Sequence, residues 1–426
     1  MCFLHSDNAV SRRQFIQQVS VGTAAAAALA GVGPKLALAA QGIDAQGVGD
    51  PDVVVPAAAV ASDRVIDGFS KVLQNRWNQD LPPVAKVGQG EAVQFLCRDA
   101  LDIGEAARTL TADGILTVDL GGVHPLTGPV EVEGAEPGDI LEAEVLDVSP
   151  LVDFGYAAIT PGLGKFGALR PDVLAPFTQF TEPSQISDPC PGPVQGAIPE
   201  DQPYNSGAPF VQLFTFERGQ SAGFANFTGA DTGKQARIPI TPFMGIYGVA
   251  PLRKGMYRTL PPNVSGGMGG NADIRQFVKG ARIQFPVYAE GAKFSAGDGH
   301  MAQGDGEVCV TGIETLMAVT LRFSVIKNTV ITGPRAIVPA ADPTQLAMTE
   351  EMLSRGYYHT TGTGPDLMEN AKDAVREMVD WLVGDQQLSL HEAYVLCSVA
   401  GDLRISEIVD VPNWVVSMTL PRGIFV

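Results

Sequence analysis

The sequence predicts a mainly β protein with a few helices. Three observations carry this. Apolar segments are short or alternating; glycine and proline, 48 and 31 in 426 residues, punctuate them; and helical periodicity shows in only a few places. With 45% hydrophobic residues, the chain can bury a large core, enough for one big domain or two.

The first 39 residues read as a targeting segment. Ser-Arg-Arg-Gln-Phe-Ile-Gln (Ser11–Gln17) resembles a twin-arginine export motif, an Ala-rich apolar run follows, and Ala37-Leu38-Ala39 offers small residues for cleavage. That run is too short and weakly apolar for a good membrane span, so the expectation is an exported, periplasmic protein with no membrane attachment after cleavage. Residues 40–62 have no clear period and read as a linker or N-terminal arm; residues 63–426 read as the folded domain.

Strands are expected at Ala92–Leu96, Gly128–Val132, Leu141–Val148 and Val211–Phe216. Ala135–Asp139 (AEPGD) reads as a turn, because Pro followed by Gly sets turn chemistry. Gln179–Pro209, rich in proline and polar residues, reads as a loop and candidate lid. Pro365–Leu382 is expected to be helical, since Leu367, Ala371, Ala374, Val375, Met378, Val379 and Leu382 recur at helical spacing. A shorter helix is expected over Leu390–Cys397 with Ser389 as its N-cap, and a third near Gln345–Arg355.

The net charge of −18 argues against nucleic acid or an anionic membrane as partner and fits solubility. Four cysteines follow the leader. Cys97, Cys309 and Cys397 sit in apolar strings and read as buried free thiols; Cys190 lies in the Gln179–Pro209 loop.

Chemistry concentrates at residues 296–309, where Asp298, His300, Gln303, Asp305 and Glu307 alternate with Gly297, Gly299, Gly304 and Gly306. Glycine permits tight turns and close approach, so these polar groups can converge on one point, as a metal or hydrolytic site requires. His300 and Asp298 are spaced i, i+2 and share a face in extended chain, which makes both candidate metal ligands. His124, at a strand entrance before a proline, is a second imidazole candidate, with Asp119 as a further one. His391 reads as a capping or surface residue and His359 as a loop residue. A divalent cation on few histidines plus carboxylates fits zinc best, though carboxylate-rich sites suit other ions too. Glu307 is the candidate general base, with Asp305 i, i+2 from it; which is base and which is ligand or orienter stays open. Gln303 is a candidate substrate contact. Cys309, between Val308 and Val310, is a weak nucleophile candidate, and no Gly-x-Ser-x-Gly elbow occurs. Arg404, flanked by Asp402 and Glu407, points to an ion-pair network.

The stretch Gly297–Cys309 (GDGHMAQGDGEVC) resembles the signature of the acetamidase/formamidase family, and further blocks agree in order: His124–Val148, Ile238–Pro251, Gly269–Ile274 (GGNADI) and Leu396–Pro421. The resemblance spans roughly residues 65–425. It implies a catalytic domain of folded mixed sheets or a pseudo-barrel with a few helices, oligomeric assembly, and hydrolysis of a short linear amide to ammonia and a carboxylate. By the same resemblance Asn271 is a candidate amide or oxyanion contact and Asp273 a residue that orients a ligand. Met268 stands where many relatives carry a bulky basic residue or histidine before the Gly-Gly pair, which bears on the substrate rather than the fold. Two other readings remain: an exported binding protein for a small solute or metal, and a hydrolase of larger aryl-type amides, which an apolar pocket around Phe243, Met244 and Tyr247 would support.

Overall fold

The computed structural model describes residues 61–69, 74–118, 122–159, 187–188, 209–259, 267–338, 349–408 and 414–426. The leader, the arm up to residue 60, Asp119, Cys190 and most of the Gln179–Pro209 loop lie outside them.

The expected β-rich architecture is present, as mixed sheets with few helices. One six-stranded sheet has the order Arg64–Asp67, Ala92–Cys97, Met317–Ile326, Ile140–Pro150, Arg282–Pro286, Arg335–Ile337. A larger sheet centres on Phe294–His300, which pairs with Phe243–Gly248, Glu314–Thr315 and Thr127–Val132. A three-stranded sheet joins Tyr357–Gly364, Trp414–Pro421 and Asp402–Glu407 near the C-terminus.

Aromatic packing fixes how the two large sheets meet. Phe294, at the start of the central strand, lies 5.8 Å from Phe95, 5.0 Å from Phe323 and 5.8 Å from Phe285, all edge-on between ring centroids. Those three rings come from the six-stranded sheet, so Phe294 is where the sheets interlock. Truncating such a ring costs about 3–5 kcal/mol. The strand is thereby anchored at one end and delivers His300 at the other.

The helices follow their sequence signals. Helix Leu367–Gln386 starts at Asp366, whose carboxylate accepts from the N–H groups of Met368 and Glu369, and it buries Ala371, Ala374, Val375, Met378, Val379 and Leu382. It runs four residues past the expected end, to Gln386, and Gln387 follows as its cap in the left-handed region. Helix Leu390–Ala400 opens with a capping box between Ser389 and Glu392. Of the third, Glu350–Ser354 is helical, capped by Thr349. His359 departs from expectation: it sits in the strand Tyr357–Gly364, because β-branched and aromatic neighbours pair with Trp414–Pro421. Its Nδ1 lies 2.9 Å from the Thr419 hydroxyl.

The AEPGD segment is a turn closed by its last residue. Asp139 accepts from the N–H of Glu136 at 2.9 Å and of Asn328 at 3.0 Å, and from the Lys327 ammonium at 2.8 Å. Burial pushes this carboxyl up, but Lys327 and the two N–H groups outweigh it and hold it below its ordinary value. A depressed folded value means the stabilisation is present above the unfolded pKa, about 4, and is lost as pH falls through the folded one. Asp139→Asn is expected to cost about 1.5–3 kcal/mol at pH 7. Urea melts from pH 7 down to pH 3 should show the gap to wild type closing below about pH 4; a gap independent of pH would refute the assignment.

Candidate functional site

Four acids converge on one buried imidazole. His300 Nε2 lies 3.0 Å from Glu314 Oε1, 3.4 Å from Asp298 Oδ1 and 3.6 Å from Glu307 Oε1, and His300 Nδ1 is 4.0 Å from Asp273 Oδ1. Phe243 packs edge-on against the ring at 5.0 Å and shields it. The side chains of His300, Asp298 and Glu314 are 4% exposed or less, whereas Glu307 and Asp273 keep 16% and 19%. The cluster therefore has a sealed side and an accessible side.

Local backbone makes this convergence possible. Asp298 takes φ 60°, Asp273 φ 48° and Glu307 φ 41°. Left-handed backbone at a non-glycine residue costs about 1–3 kcal/mol, and three of the four acids adopt it. Opposite Asp298, the ladder between Phe243–Gly248 and Phe294–His300 leaves out Gly245. A Cβ on Gly245 would stand 2.3 Å from Asp273 Oδ1, 2.5 Å from Asp298 Oδ2 and 2.8 Å from His300 Cε1. Only hydrogen fits there. The carbonyl of Gly245 also accepts from the N–H groups of Ala272 and Asp273, both at 3.2 Å, which ties the Asp273 loop to the strand.

Burial pushes the Glu314 carboxyl up to about 7, with the Asp298 charge adding to the effect and His300 opposing it. Burial, then the Asp298 charge, also raises Asp273, and burial with the Asp273 charge raises Glu307. Asp298 goes the other way: burial favours its neutral form, but the imidazoles of His300 and His124 outweigh this and lower it. For His300, burial opposes protonation, yet Glu314 and Asp298 raise it well above its ordinary value.

The residues fit a divalent cation. Two sets have ligand atoms within 4.8 Å of one another, Asp298–His300–Glu314 and Asp273–His300–Glu307. Asp273 Oδ1, Asp298 Oδ1, His300 Nδ1 and Glu314 Oε2 are buried and make no hydrogen bond. Buried polar atoms without partners are costly, and a cation satisfies them and relieves the repulsion among the acids. One imidazole with several carboxylate oxygens suits zinc and other first-row divalent ions.

Of the residues singled out from sequence, Asp298, His300, Asp273 and Glu307 meet in this cluster. His124 is buried beside it, close enough for its charge to act on Asp298, and its backbone N–H donates to the Thr259 hydroxyl at 2.6 Å. Gln303 is buried and donates from Nε2 to the Asp273 carbonyl at 3.0 Å, while its Oε1 makes no hydrogen bond. Asn271 is half-buried in the strand Gly269–Asn271, opposite Ile246 and two residues before Asp273. Asp305 is placed elsewhere: it faces Arg404 at 3.4 Å and Arg275 at 3.9 Å. The i, i+2 rule holds in extended chain, and residues 305–307 form a turn, so Asp305 and Glu307 diverge.

Glu314 was not among the sequence candidates. Its signal is an acid inside the apolar run Ile313–Val319, where a charge is buried only for a reason. Gly245 carried no signal. Cys309, Cys97 and Cys397 are buried free thiols, and burial pushes the Cys309 thiol up, which disfavours its nucleophilic thiolate. Phe243, Met244 and Tyr247 are buried, and Phe243 packs against the His300 ring.

Comparison with known proteins covers the blocks His124–Val148, Gly269–Ile274, Gly297–Cys309 and Leu396–Pro421, and only the end of Ile238–Pro251. A model of the Acetamidase/Formamidase family matches residues 60–192 and 248–426. An acetamidase of Mycolicibacterium smegmatis is 30% identical over 258 residues, covering 56% of this chain and 62% of its own. A formamidase of Methylophilus methylotrophus is 28% identical over 374 residues, covering 83% and 89%. Among solved structures, a gamma lactamase from Delftia acidovorans superposes with a TM-score of 0.63 at 23% identity, covering 83% of this chain and 89% of its own, which is a likeness of fold.

A cation that occupies the cluster should stabilise the folded chain. At a hundredfold excess over Kd the gain is about 2.7 kcal/mol. Thermal melts of chelated wild type should shift upward on adding zinc or manganese, and Gly245→Ala, whose Cβ stands among the ligands, should lose the shift. An equal shift in both proteins would place the cation elsewhere.

Proposed function

Because the chain belongs to the acetamidase/formamidase family, we propose that the His300 cluster is the active site of a hydrolase that cleaves the C–N bond of short linear amides, formamide- or acetamide-like, to ammonia and a carboxylate. The observation that carries this reading is the buried imidazole ringed by four acids, with polar atoms left for a ligand.

The sealed side of the cluster would hold the cation, with His300, Asp298 and Glu314 as its ligands and His124, beside Asp298, as the further candidate. Zinc is the ion proposed. A bound divalent cation supplies Lewis acidity toward water and the amide carbonyl. The accessible side moves protons. Glu307 is 3.6 Å from His300 Nε2 and partly open to solvent, so it can take the proton of the attacking water and return it to the departing nitrogen. Asp273 orients Glu307 and the amide. Asn271 and the free Oε1 of Gln303 hold the substrate, Gln303 accepting from the amide NH2. The relatives named acetamidase and formamidase support a small acyl group. The twin-arginine-like motif at Ser11–Gln17 supports export to the periplasm, and family resemblance supports a homo-oligomer.

The test is ammonia release from a panel of short amides, as isolated, after chelation and after zinc add-back. Release that chelation abolishes and zinc restores is expected, with the shortest acyl groups turned over best. Glu307→Gln should lower kcat by about 10²–10⁴-fold. Absence of release from every amide, with metal bound, would sink the amidase reading in favour of solute binding; release only from aryl amides would overturn the small-acyl assignment.

A further inference from the structure

Two arginines and two aspartates form a closed ring beside the cluster. Arg275 pairs with Asp402 and faces Asp305, with Nε 3.9 Å from Oδ1. Arg404 faces the same two acids, 3.4 Å from Asp305 and 2.8 Å from Asp402. The ring is neutral as a whole, and none of its ion pairs includes His300, Asp298 or Glu314.

Its position in the chain gives it a purpose. Arg275 lies two residues after Asp273, and Asp305 two residues before Glu307. The ring therefore joins the two loops that carry the accessible acids and fastens both to the strand Asp402–Glu407. Further bonds lie alongside: the Asp305 N–H donates to Asp402 Oδ1 at 3.2 Å, the Leu403 N–H to the Asp305 carbonyl at 2.9 Å, and Gln276 Nε2 to Asp305 Oδ1 at 3.4 Å. Backbones touch as well, since a Cβ on Gly304 would fall 1.5 Å from the Gly401 carbonyl oxygen. Asp273 and Glu307 both hold left-handed backbone, which persists only where the surroundings over-determine it.

We propose that this ring is a positioning device for the proton-transfer side of the site, with Arg275 as its keystone. Arg275 is 11% exposed and faces both aspartates, whereas Arg404 is 56% exposed and supports the ring from outside. The proposal rests on the amidase reading for its kinetic consequence, but the mechanical claim stands on the ring itself. A cavity of about 300 Å³ lined by Arg275, Gln303, Tyr357, Asp402 and Arg404 adjoins the ring. Water can enter there and solvate the acids when Arg275 is shortened, so the variant is expected to fold.

The experiment compares wild type, Arg275→Gln, Arg275→Lys and Arg404→Gln by steady-state kinetics on a short amide and by hydrogen exchange. Arg275→Gln should lower kcat by about 10–100-fold, the scale of a misplacement near 1 Å, with KM changed less than about threefold. Arg275→Lys should recover part of the loss, and Arg404→Gln should stay within about threefold of wild type. Exchange should quicken over residues 272–277 and 303–308 in Arg275→Gln and stay unchanged in the strands Phe294–His300 and Met317–Ile326. If Arg275→Gln fails to fold, Asp402→Asn, which keeps both arginines, takes its place with the same expected direction. A kcat within twofold of wild type, or faster exchange throughout the sheets, would overturn the proposal. Should wild type release no ammonia, the amidase reading fails on its own; exchange confined to the two loops would still support the ring, and unchanged exchange would refute it.

Discussion

Charge crowding around His300 is the constraint to which the rest of this structure answers. Asp298, Glu314, Glu307 and Asp273 all point at one imidazole in a largely buried space. Burial first, and then the charge of neighbouring acids, raises the carboxyls of Glu314, Asp273 and Glu307, so the acids cannot all ionise without a counter-charge. Three of these acids also hold left-handed backbone. A fold keeps such an arrangement only when it is stabilised elsewhere, and local strain of this kind gathers at functional sites.

That stabilisation comes from the junction of sheets. Phe294 locks the central strand into the aromatic core, and His300 ends the same strand. Gly245 on the neighbouring strand leaves space for carboxylates where any side chain would collide. The C-terminal sheet contributes no member of the cluster. It acts from outside, through Asp402 and Arg404, on the turn that presents Glu307. The core thus anchors the central strand, that strand presents the imidazole, and the C-terminal sheet braces the loops around it.

The site divides along its exposure. His300, Asp298 and Glu314 are sealed from solvent and suit a tightly held cation, since the surrounding protein excludes competing water. Glu307 and Asp273 are the more exposed acids and face the accessible side. In the proposed hydrolysis the sealed side would hold a cation that polarises the amide, and the accessible side would move the proton. Asp305, although only two residues from Glu307, belongs to neither and serves the bracing ring instead.

By itself the sequence determined what depends on local chemistry. The strands expected at Ala92–Leu96 and Leu141–Val148, the AEPGD turn, the helix expected over Pro365–Leu382 and the Ser389 cap follow from periodicity, turn residues and capping, and the structure holds each, with strand and helix bounds shifted by a few residues. Asp298, His300 and Glu307 stood out because a dense Gly-polar stretch advertises itself within ten residues. Tertiary structure alone decided what depends on partners distant in the chain. Glu314 joins the cluster because Glu314–Thr315 pairs with Phe294–His300, and Gly245 matters because Phe243–Gly248 lies on the other side of that strand. Asp305 turns away from Glu307 because left-handed backbone at Glu307 breaks the two-residue alternation, while Arg275 and Arg404 draw its carboxylate elsewhere. Local propensities are written residue by residue, whereas the convergence of charges is a property of strand register, and register is set only when the sheets pack.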